Sequence, residues 1–464
     1  MQEGASLNVI IFGTGQLYKK NKYRFVDMNI VVFLDNDERK HGTMLDGVMV
    51  DKPENIIHYD FDYVILASKF FEQMREQLIL LGVSQNVILD WEHRGDFENI
   101  RNIRSYNVKK ELQDYAKKVL LVTHDMSLTG APIVLLYMAK ILEKNGYKVD
   151  VYSKTTGPLV FEFLKQDISV HIFDEFHFMR EEVTTYFNEY NLVVINTVTL
   201  FKLVHEVEII GIPIIWWLHE EDDVYQSYRM TKADLCVGKN VYIYGVGNRS
   251  ISSYERYSGK RVTGELVYGI ENIQNQKICK SEGKSEGNQI VFTIIGSVCD
   301  RKGHDVLLQV IVENVLKWRN YIEFWIIGAI TEEYKKRFDK IENVKIWGRQ
   351  THEQVEKMYK QIDVVVCPSR NDPMPVVLAE GMMNRKLCIA SDMTGTAELI
   401  TPYEDGLICK AGDAHSLADC IQWVLDHKDK INTIGEKGYS IYEKWFSMES
   451  FENNVLRIIS EKVK

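Results

Sequence analysis

The chain of 464 residues is long enough for about three domains, each able to bury its own core. Hydrophobic residues make up 45% and charged residues 26%, as in an ordinary globular protein, and a net charge of -10 argues against a nucleic-acid binder. The seven cysteines all lie beyond residue 235 and form no CxxC pair, which argues against structural zinc and fits reduced thiols in a cytosol.

In chain order, apolar β-rich runs at Asn8–Phe12, Ile30–Leu34 and Tyr63–Leu66 predict three strands in the first hundred residues. The first runs into Gly13-Thr14-Gly15 and the second into Asp35, the interval of a dinucleotide-binding turn. Tyr18 stands where the third fingerprint glycine belongs, so looser helix–strand contact is expected and the turn reads as structural. The charged, amide-rich stretch Trp91–Lys118 marks a first boundary. Strands follow at Val119–Val122, Val149–Tyr152, Leu192–Ile195 and Ile214–Leu218. Between the first two of these, Ile133, Leu136, Ala139, Lys140 and Glu143 carry a helical spacing, with the apolar stripe continued by Ile141 and Leu142, that Gly146 stops. The longest apolar run, Ile209–Leu218, is too short to span a bilayer, and the opening Met-Gln-Glu-Gly has no signal-peptide character.

A second boundary is Ile273–Gln289, with the Ser, Glu, Gly and Lys content of a flexible linker. Beyond it lie strands at Ile290–Ile295, Glu323–Ile327, Val344–Trp347, Val364–Cys367 and Leu387–Ala390, then an apolar-striped helical tail at Tyr442–Ile459. Strands without strong period-2 alternation, separated by helices, predict parallel sheets with right-handed crossovers. The division expected is 1–105, 110–275, 285–440 and a closing helix at 441–464. The basic runs Lys19–Lys20 and Lys335–Arg337 read as solvated faces, either of which can touch an anionic membrane.

The segment richest in chemistry runs from Cys367 to Ile400. A strand enters the loop Pro368-Ser369-Arg370-Asn371-Asp372, and Pro375 suits the first turn of a following helix. Asp372 and Glu380 lie eight residues apart, one before that helix and one on its second turn. Free N–H groups at the helix start hold an anion, while one carboxylate can accept from both hydroxyls of a ribose. Thr394-Gly395-Thr396-Ala397-Glu398 is a second loop into a helix start. Upstream, the strand ending at Ile295 meets Gly296-Ser297, and Arg301 and Lys302 precede Gly303; cations here can neutralise a diphosphate leaving group.

Together these segments resemble the retaining glycosyltransferases of family 4. The pair Asp372 and Glu380 is similar to that family's Glu-x7-Glu motif, with Asp in the first place. Gly296 to Gly303 is similar to its glycine-arginine…lysine-glycine turn, with Ser297 where Arg is usual. Asn343 to Gly348 resembles the strand and glycine whose loop packs the nucleotide base, and Gly395 to Ile400 its glycine-threonine-Glu-Leu-Ile segment. Looser matches are His124–Pro132, similar to the glycine-rich loop beside the donor phosphates and carrying Gly130, and Trp216–Glu220, similar to the strand whose His lines the sugar pocket. Val267–Ile270 resembles the asparagine-glycine-valine segment before the interdomain linker, with Tyr for Asn.

The resemblance covers about 118–464 and implies a GT-B fold: two Rossmann-like catalytic domains facing a cleft, here preceded by a third Rossmann-like domain. That N-terminal domain resembles the small nucleotide-binding domain attached to sugar acetyltransferases. By resemblance, Lys302 contacts the donor diphosphate, Arg301 can replace the cation missing at Ser297, and Glu380 holds the ribose. Asp372 and His219 face the donor sugar, and Gly296, Gly348, Gly395, Thr396 and Gly130 line the nucleotide. The closing helix would cross back to the N-terminal catalytic domain.

The reaction implied is retaining transfer of a hexose from a nucleoside-diphosphate sugar to a glycan, lipid-linked or protein-linked acceptor, in bacterial surface-glycan synthesis. In a front-face route the leaving phosphate takes the acceptor's proton. No Asp-x-Asp stands in a metal-binding loop, so neither metal nor cofactor is expected besides the co-substrate. The bland readings are a helix or turn cap for Asp372, a strand-end histidine for His219, local hydrogen bonding for His124 and His304, and core packing for Trp216 and Trp217. The competing functions are a nucleotide-sugar-binding scaffold without turnover, an epimerase, or a phosphorylase, for which no pyridoxal lysine can be nominated. A cytoplasmic place at the inner membrane face, and an N-terminal domain that dimerises, recognises an acceptor or partner, or binds a nucleotide, complete the expectations; nucleic acid is not expected as a partner.

Overall fold

The computed structural model describes residues 8–22, 28–61, 63–84, 87–90, 103–106, 117–173, 187–272 and 289–462. The sequence boundaries at 91–118 and 273–289 fall largely outside these residues. The chain forms two compact units, Met1–Tyr190 and Asn191–Lys464.

In the first unit, β1 (Asn8–Phe12), β2 (Asn29–Leu34), β3 (Met44–Leu45), β4 (Val48–Asp51), β5 (Tyr63–Leu66) and β6 (Ile88–Asp90) form a sheet of order β3-β4-β2-β1-β5-β6. All pairs are parallel except the β3/β4 hairpin. Alternate residues feed two cores, Ile10, Phe12, Val32 and Leu34 on one face, and Val9, Ile11 and Phe33 on the other. Tyr18, on the helix Gln16–Asn21, packs against the sheet. Its ring lies 4.8 Å from Phe33, almost wholly buried, and fills the space that a glycine would leave for closer backbone approach. The strands β7 (Ile103–Tyr106), β8 (Lys118–Thr123), β9 (Lys148–Ser153) and β10 (Ser169–Phe173) follow; β8, β9 and β10 pair in parallel and β7 runs antiparallel to β10. The helix Gly130–Lys144 carries the expected stripe, with Leu136, Ala139, Ile141 and Leu142 buried. Val134, Leu135 and Met138, which the stripe omitted, are buried beside it, whereas Ile133 is only half-buried.

In the second unit, β11 (Leu192–Asn196), β12 (Ile214–Leu218), β13 (Val241–Gly245) and β14 (Gly264–Glu265) pair in parallel in that order. A six-stranded sheet follows, from β15 (Ile290–Ile295), β16 (Ile322–Ile327), β17 (Val344–Gly348), β18 (Val364–Cys367), β19 (Leu387–Ser391) and β20 (Leu407–Cys409). Its order is β17-β16-β15-β18-β19-β20 and every pair is parallel. The carboxyl ends of β15, β18 and β19 therefore gather their loops on one edge, where such sheets bind ligands.

The tail is not one helix. A π-helical turn at Tyr442–Phe446 is broken by extended Ser447 before the helix Met448–Lys462. Its Phe451 stacks on Trp217 at 5.8 Å, and Phe446 O accepts from Ile270 N at 2.9 Å. A Cβ on Gly269 would lie 2.7 Å from that of Phe451, so the approach needs glycine there. Among the described residues no helix is long and apolar enough to cross a membrane.

Candidate active site

The loop after β18 is held against the loop after β19 by backbone pairing. Asp372 N donates to Met393 O at 3.3 Å, and Gly395 N donates to Asp372 O at 3.0 Å. A Cβ on Gly395 would lie 1.8 Å from Pro373 O, so only glycine permits this junction. Asp372 is thereby fixed by its own main chain and 93% buried, since only 7% of it meets solvent. Pro375 is the N-cap of the helix Val376–Met383, one position earlier than the first-turn place expected: its ψ of 119° is extended, and its carbonyl accepts from Leu378 N. The segment from Gly395 is a 3-10 turn ending at Leu399, not an α-helix start. Thr396 is buried in it, with Oγ1 donating to Met374 Sδ at 3.5 Å.

The loop after β15 supplies the cations. Gly296 has φ +139° and the neighbouring Ser297 is exposed. A short 3-10 turn, Asp300–Lys302, ends at Gly303, whose φ is +76° and whose added Cβ would lie 2.2 Å from Pro368 O. That close approach brings Lys302 onto Asp372, and the two form an ion pair. Arg301 is turned to its neighbour instead: its Nη1 donates to Asn371 O at 2.8 Å, and its carbonyl accepts from Arg370 N. Lys302, Arg301 and Asp372 are thus assembled in one place.

Glu380 sits on the second turn of Val376–Met383, half-buried, and accepts from Tyr359 Oη at 3.4 Å. With Tyr359, Val355, Glu356 and Glu271 it lines a pocket. Glu380 and Asp372 share one neighbour. Tyr268 is buried and donates to Met374 O at 2.9 Å; burial first, then the charges of Asp372 and Glu380, push its hydroxyl far above the usual phenol range. Gly348 ends β17 at φ +64°, which a turn there requires.

At the end of β12, the His219 ring lies 4.6 Å from that of Trp217, and the His219 backbone N–H donates to Glu220 Oε2 at 3.0 Å. Trp216 and Trp217 are core residues, as expected. Glu221 is buried and takes a bidentate contact from Arg249, at 2.9 Å and 2.7 Å. Burial raises its pKa; Arg249 opposes this, and Asp372 and Asp223 add to it. Arg249 Nη1 also reaches Met393 Sδ at 3.6 Å, and Asn371 Nδ2 donates to Asp223 at 3.1 Å. The chain at Glu221–Arg249 therefore touches the loops that carry Asp372. Sequence reasoning missed Glu221 and Arg249, and met Tyr268 only as the residue in the Asn place of the Val267–Ile270 segment. The acidic run after His219 was a visible signal for the first; Arg249, in the first turn of the helix Asn248–Ser258, gave none.

Gly130 belongs to the other compact unit. It opens Gly130–Lys144 behind the N-cap Thr129, in a loop where Ser127 N and Oγ donate to Asp125 Oδ1. Burial would raise Asp125, but its contacts with His124 and Ser127 outweigh this and hold it at about 2. His304 makes the local hydrogen bond expected of it, through Nδ1 to Cys299. Among the described residues no three His, Cys, Asp or Glu side chains are grouped to hold a metal.

Comparison with known proteins accords with this geometry. Residues 275–441 match the family model of glycosyl transferases group 1, residues 115–241 that of glycosyl-transferase family 4, and residues 5–89 the model C2185-like, N-terminal. An uncharacterized glycosyltransferase of Methanocaldococcus jannaschii is 24% identical over 206 residues, covering 41% of this chain and 55% of that protein. The lipopolysaccharide core biosynthesis mannosyltransferase LpcC of Rhizobium leguminosarum is 25% identical over 145 residues, covering 27% and 38%. These alignments span about half of the relatives' length or less. Anabaena HepE, solved with UDP and glucose, superposes with a TM-score of 0.62 at 16% identity over 74% of this chain and 99% of HepE. WaaG, a glycosyltransferase of lipopolysaccharide biosynthesis, gives 0.57 at 14% over 73% and 99%. By the family models along its length and the fold it shares with these structures, the chain is a member of the GT-B glycosyltransferases that carries a C2185-like module before the transferase region.

Proposed function

We propose that the protein transfers a sugar from a nucleoside-diphosphate sugar with retention at the anomeric carbon. The observation that carries this reading is the Lys302–Asp372 ion pair at the junction of the β15, β18 and β19 loops. A cation there faces the departing diphosphate, and a buried carboxylate beside it is placed for donor-sugar hydroxyls. Glu380 holds the ribose, with the loops at Gly296, Gly348 and Gly395–Thr396 around the nucleotide. His219 lines the sugar pocket, and the leaving phosphate takes the acceptor's proton without a metal. HepE has been solved with UDP-glucose and LpcC is a mannosyltransferase, which supports a hexose donor of this class. Arg301 serves the loop rather than the diphosphate, so Lys302 is the principal cation.

The acceptor we propose is a glycan or a lipid- or protein-linked chain in bacterial surface-glycan synthesis, met in the cytoplasm at the inner membrane face. The working division is an accessory domain at 1–105, an acceptor domain at 110–275, a donor domain at 285–440 and the closing segment 441–464, with the accessory domain available for self-association.

The test is turnover of a panel of nucleotide sugars by the full-length protein, with the anomeric configuration of the product or released sugar read by NMR. Retention of the donor's configuration is the expected result. Inversion would remove the retaining mechanism, and tight nucleotide-sugar binding without any turnover would favour the scaffold reading.

A further inference from the structure

We propose that Glu220 is a positioning residue that fixes His219 at the sugar pocket by tying together the ends of β11 and β12; this rests on the reading of His219 given above. The starting observation is Thr197, which follows β11 with φ +108° and ψ 142°. L side chains rarely take that backbone, and a β-branched one is worst suited to it. The conformation persists because its neighbours determine it fully. Thr197 N donates to Trp217 O at 2.8 Å, its carbonyl accepts from Trp216 Nε1 at 2.9 Å, and its Oγ1 accepts from Thr199 N at 3.2 Å.

Glu220 closes this arrangement. Its Oε2 accepts from Val198 N and from His219 N, each at 3.0 Å, while Oε1 accepts from Thr197 Oγ1. One carboxylate thus binds the residue after the strained position and the backbone of the histidine itself. In register, Asn196 and Trp217 are partners, so the bridge spans the two strands just where both stop. A group that merely stabilised the sheet has no reason to hold a rare backbone conformation at its ligand-binding edge; strain of this kind is retained where it sets the direction of a functional side chain.

The chemistry separates two variants. In Glu220→Gln the amide oxygen can accept from both N–H groups and the amide nitrogen can donate to Thr197 Oγ1. In Glu220→Ala all three contacts are lost. The full-length protein is labelled with 13C-histidine, the His219 Cε1 resonance is assigned with His219→Asn, and each variant is measured in the absence of substrate. Glu220→Ala should move or broaden that resonance, and Glu220→Gln should leave it in place. With a turned-over donor in hand, Glu220→Ala should lower kcat about 10- to 100-fold, with nucleotide Kd changed less than about twofold, and Glu220→Gln should stay within about threefold of the parent. Should Glu220→Ala fail to fold, the double variant Thr197→Gly/Glu220→Ala relieves the strain, since glycine takes this φ freely, and should show the same displaced resonance. An unmoved His219 resonance in the alanine variants, or equal impairment of the alanine and glutamine variants, would overturn the proposal. The resonance reads Glu220 even if no nucleotide sugar is turned over, so a failed assignment of the reaction is distinguishable from a failed assignment of Glu220.

Discussion

Lys302 and Asp372, separated by 70 residues, meet as an ion pair because Gly303 lets one loop press on the backbone of Pro368 in the other. Both side chains are largely shielded, at 24% and 10% exposure, so the pair is not the loosely solvated kind that contributes little. If Lys302 faces the donor diphosphate, Lys302→Met should lower kcat/KM about 10²- to 10³-fold, and Lys302→Arg should keep more activity than Met. Asp372→Asn should cost less than the sum when combined with Lys302→Met, because the two act as a unit. Steady-state kinetics of the parent, the three single variants and the double variant on one donor check this; strictly additive losses would separate the residues.

Gly395 and Gly303 can be tested on stability. A Cβ at Gly395 would meet Pro373 O, and Gly303→Ala adds a strained φ to a contact with Pro368 O. Each alanine should cost at least about 2 kcal/mol and reduce donor turnover, because the carboxylate loop must shift. Denaturant unfolding and the activity of the folded fraction measure both effects.

A pH dependence follows from His304. It is fully buried, and its Nε2 has no hydrogen-bond partner among the described residues. Burial, partly offset by the hydrogen bond to Cys299 O, lowers its pKa from 6.5 to about 4. Between those values the unfolded chain holds a proton that the folded one does not. Stability is therefore full above about pH 6.5 and falls as pH drops toward 4, by up to about 3 kcal/mol from this group. Unfolding curves at pH 7.5 and pH 5 should show the loss, and His304→Asn should lessen it.

The N-terminal sheet gives a further expectation. Asp35, at the end of β2, accepts from Lys40 Nζ at 2.7 Å and from Thr14 N at 3.0 Å. Burial would raise this carboxyl, but those bonds outweigh it and hold the pKa at about 2. The stabilisation is present above about pH 3.8 and is lost as pH falls through 2. Because the acceptors that a dinucleotide ribose needs are taken, NAD and NADP should leave the melting temperature unchanged. A shift abolished by Asp35→Asn would contradict that.

Much of this arrangement was legible in the residues. Apolar runs located β1, β5, β12, β15 and β18 to the residue, since strands buried on both faces are written without polar interruptions. The strands β10, β13 and β20 were not read: His171 interrupts the first, alternating tyrosines the second, and Leu407–Cys409 is only three residues long. Within the site, spacing pointed to Asp372, Glu380 and Lys302 because their motifs are local. The bidentate Glu221–Arg249 contact joins residues 28 apart through the tertiary fold, and the position of Tyr268 among two carboxylates and the Met374 carbonyl is likewise a product of folding. Ser297 departs from the usual Arg, which suggested that Arg301 substitutes; Arg301 Nη1 donates to Asn371 O in the neighbouring loop, a contact no spacing could show.

The most direct test of a nucleotide-sugar site is thermal stability against UDP, GDP, ADP, CMP and dTDP, with the wild type and Glu380→Ala side by side. A ligand at about 100 times its dissociation constant adds roughly 2.7 kcal/mol, a clear rise in melting temperature. One base should stabilise the wild type, and Glu380→Ala should lose most of that response. No shift with any nucleotide, or an equal shift in both proteins, would contradict the assignment of Glu380 and of the cleft it lines.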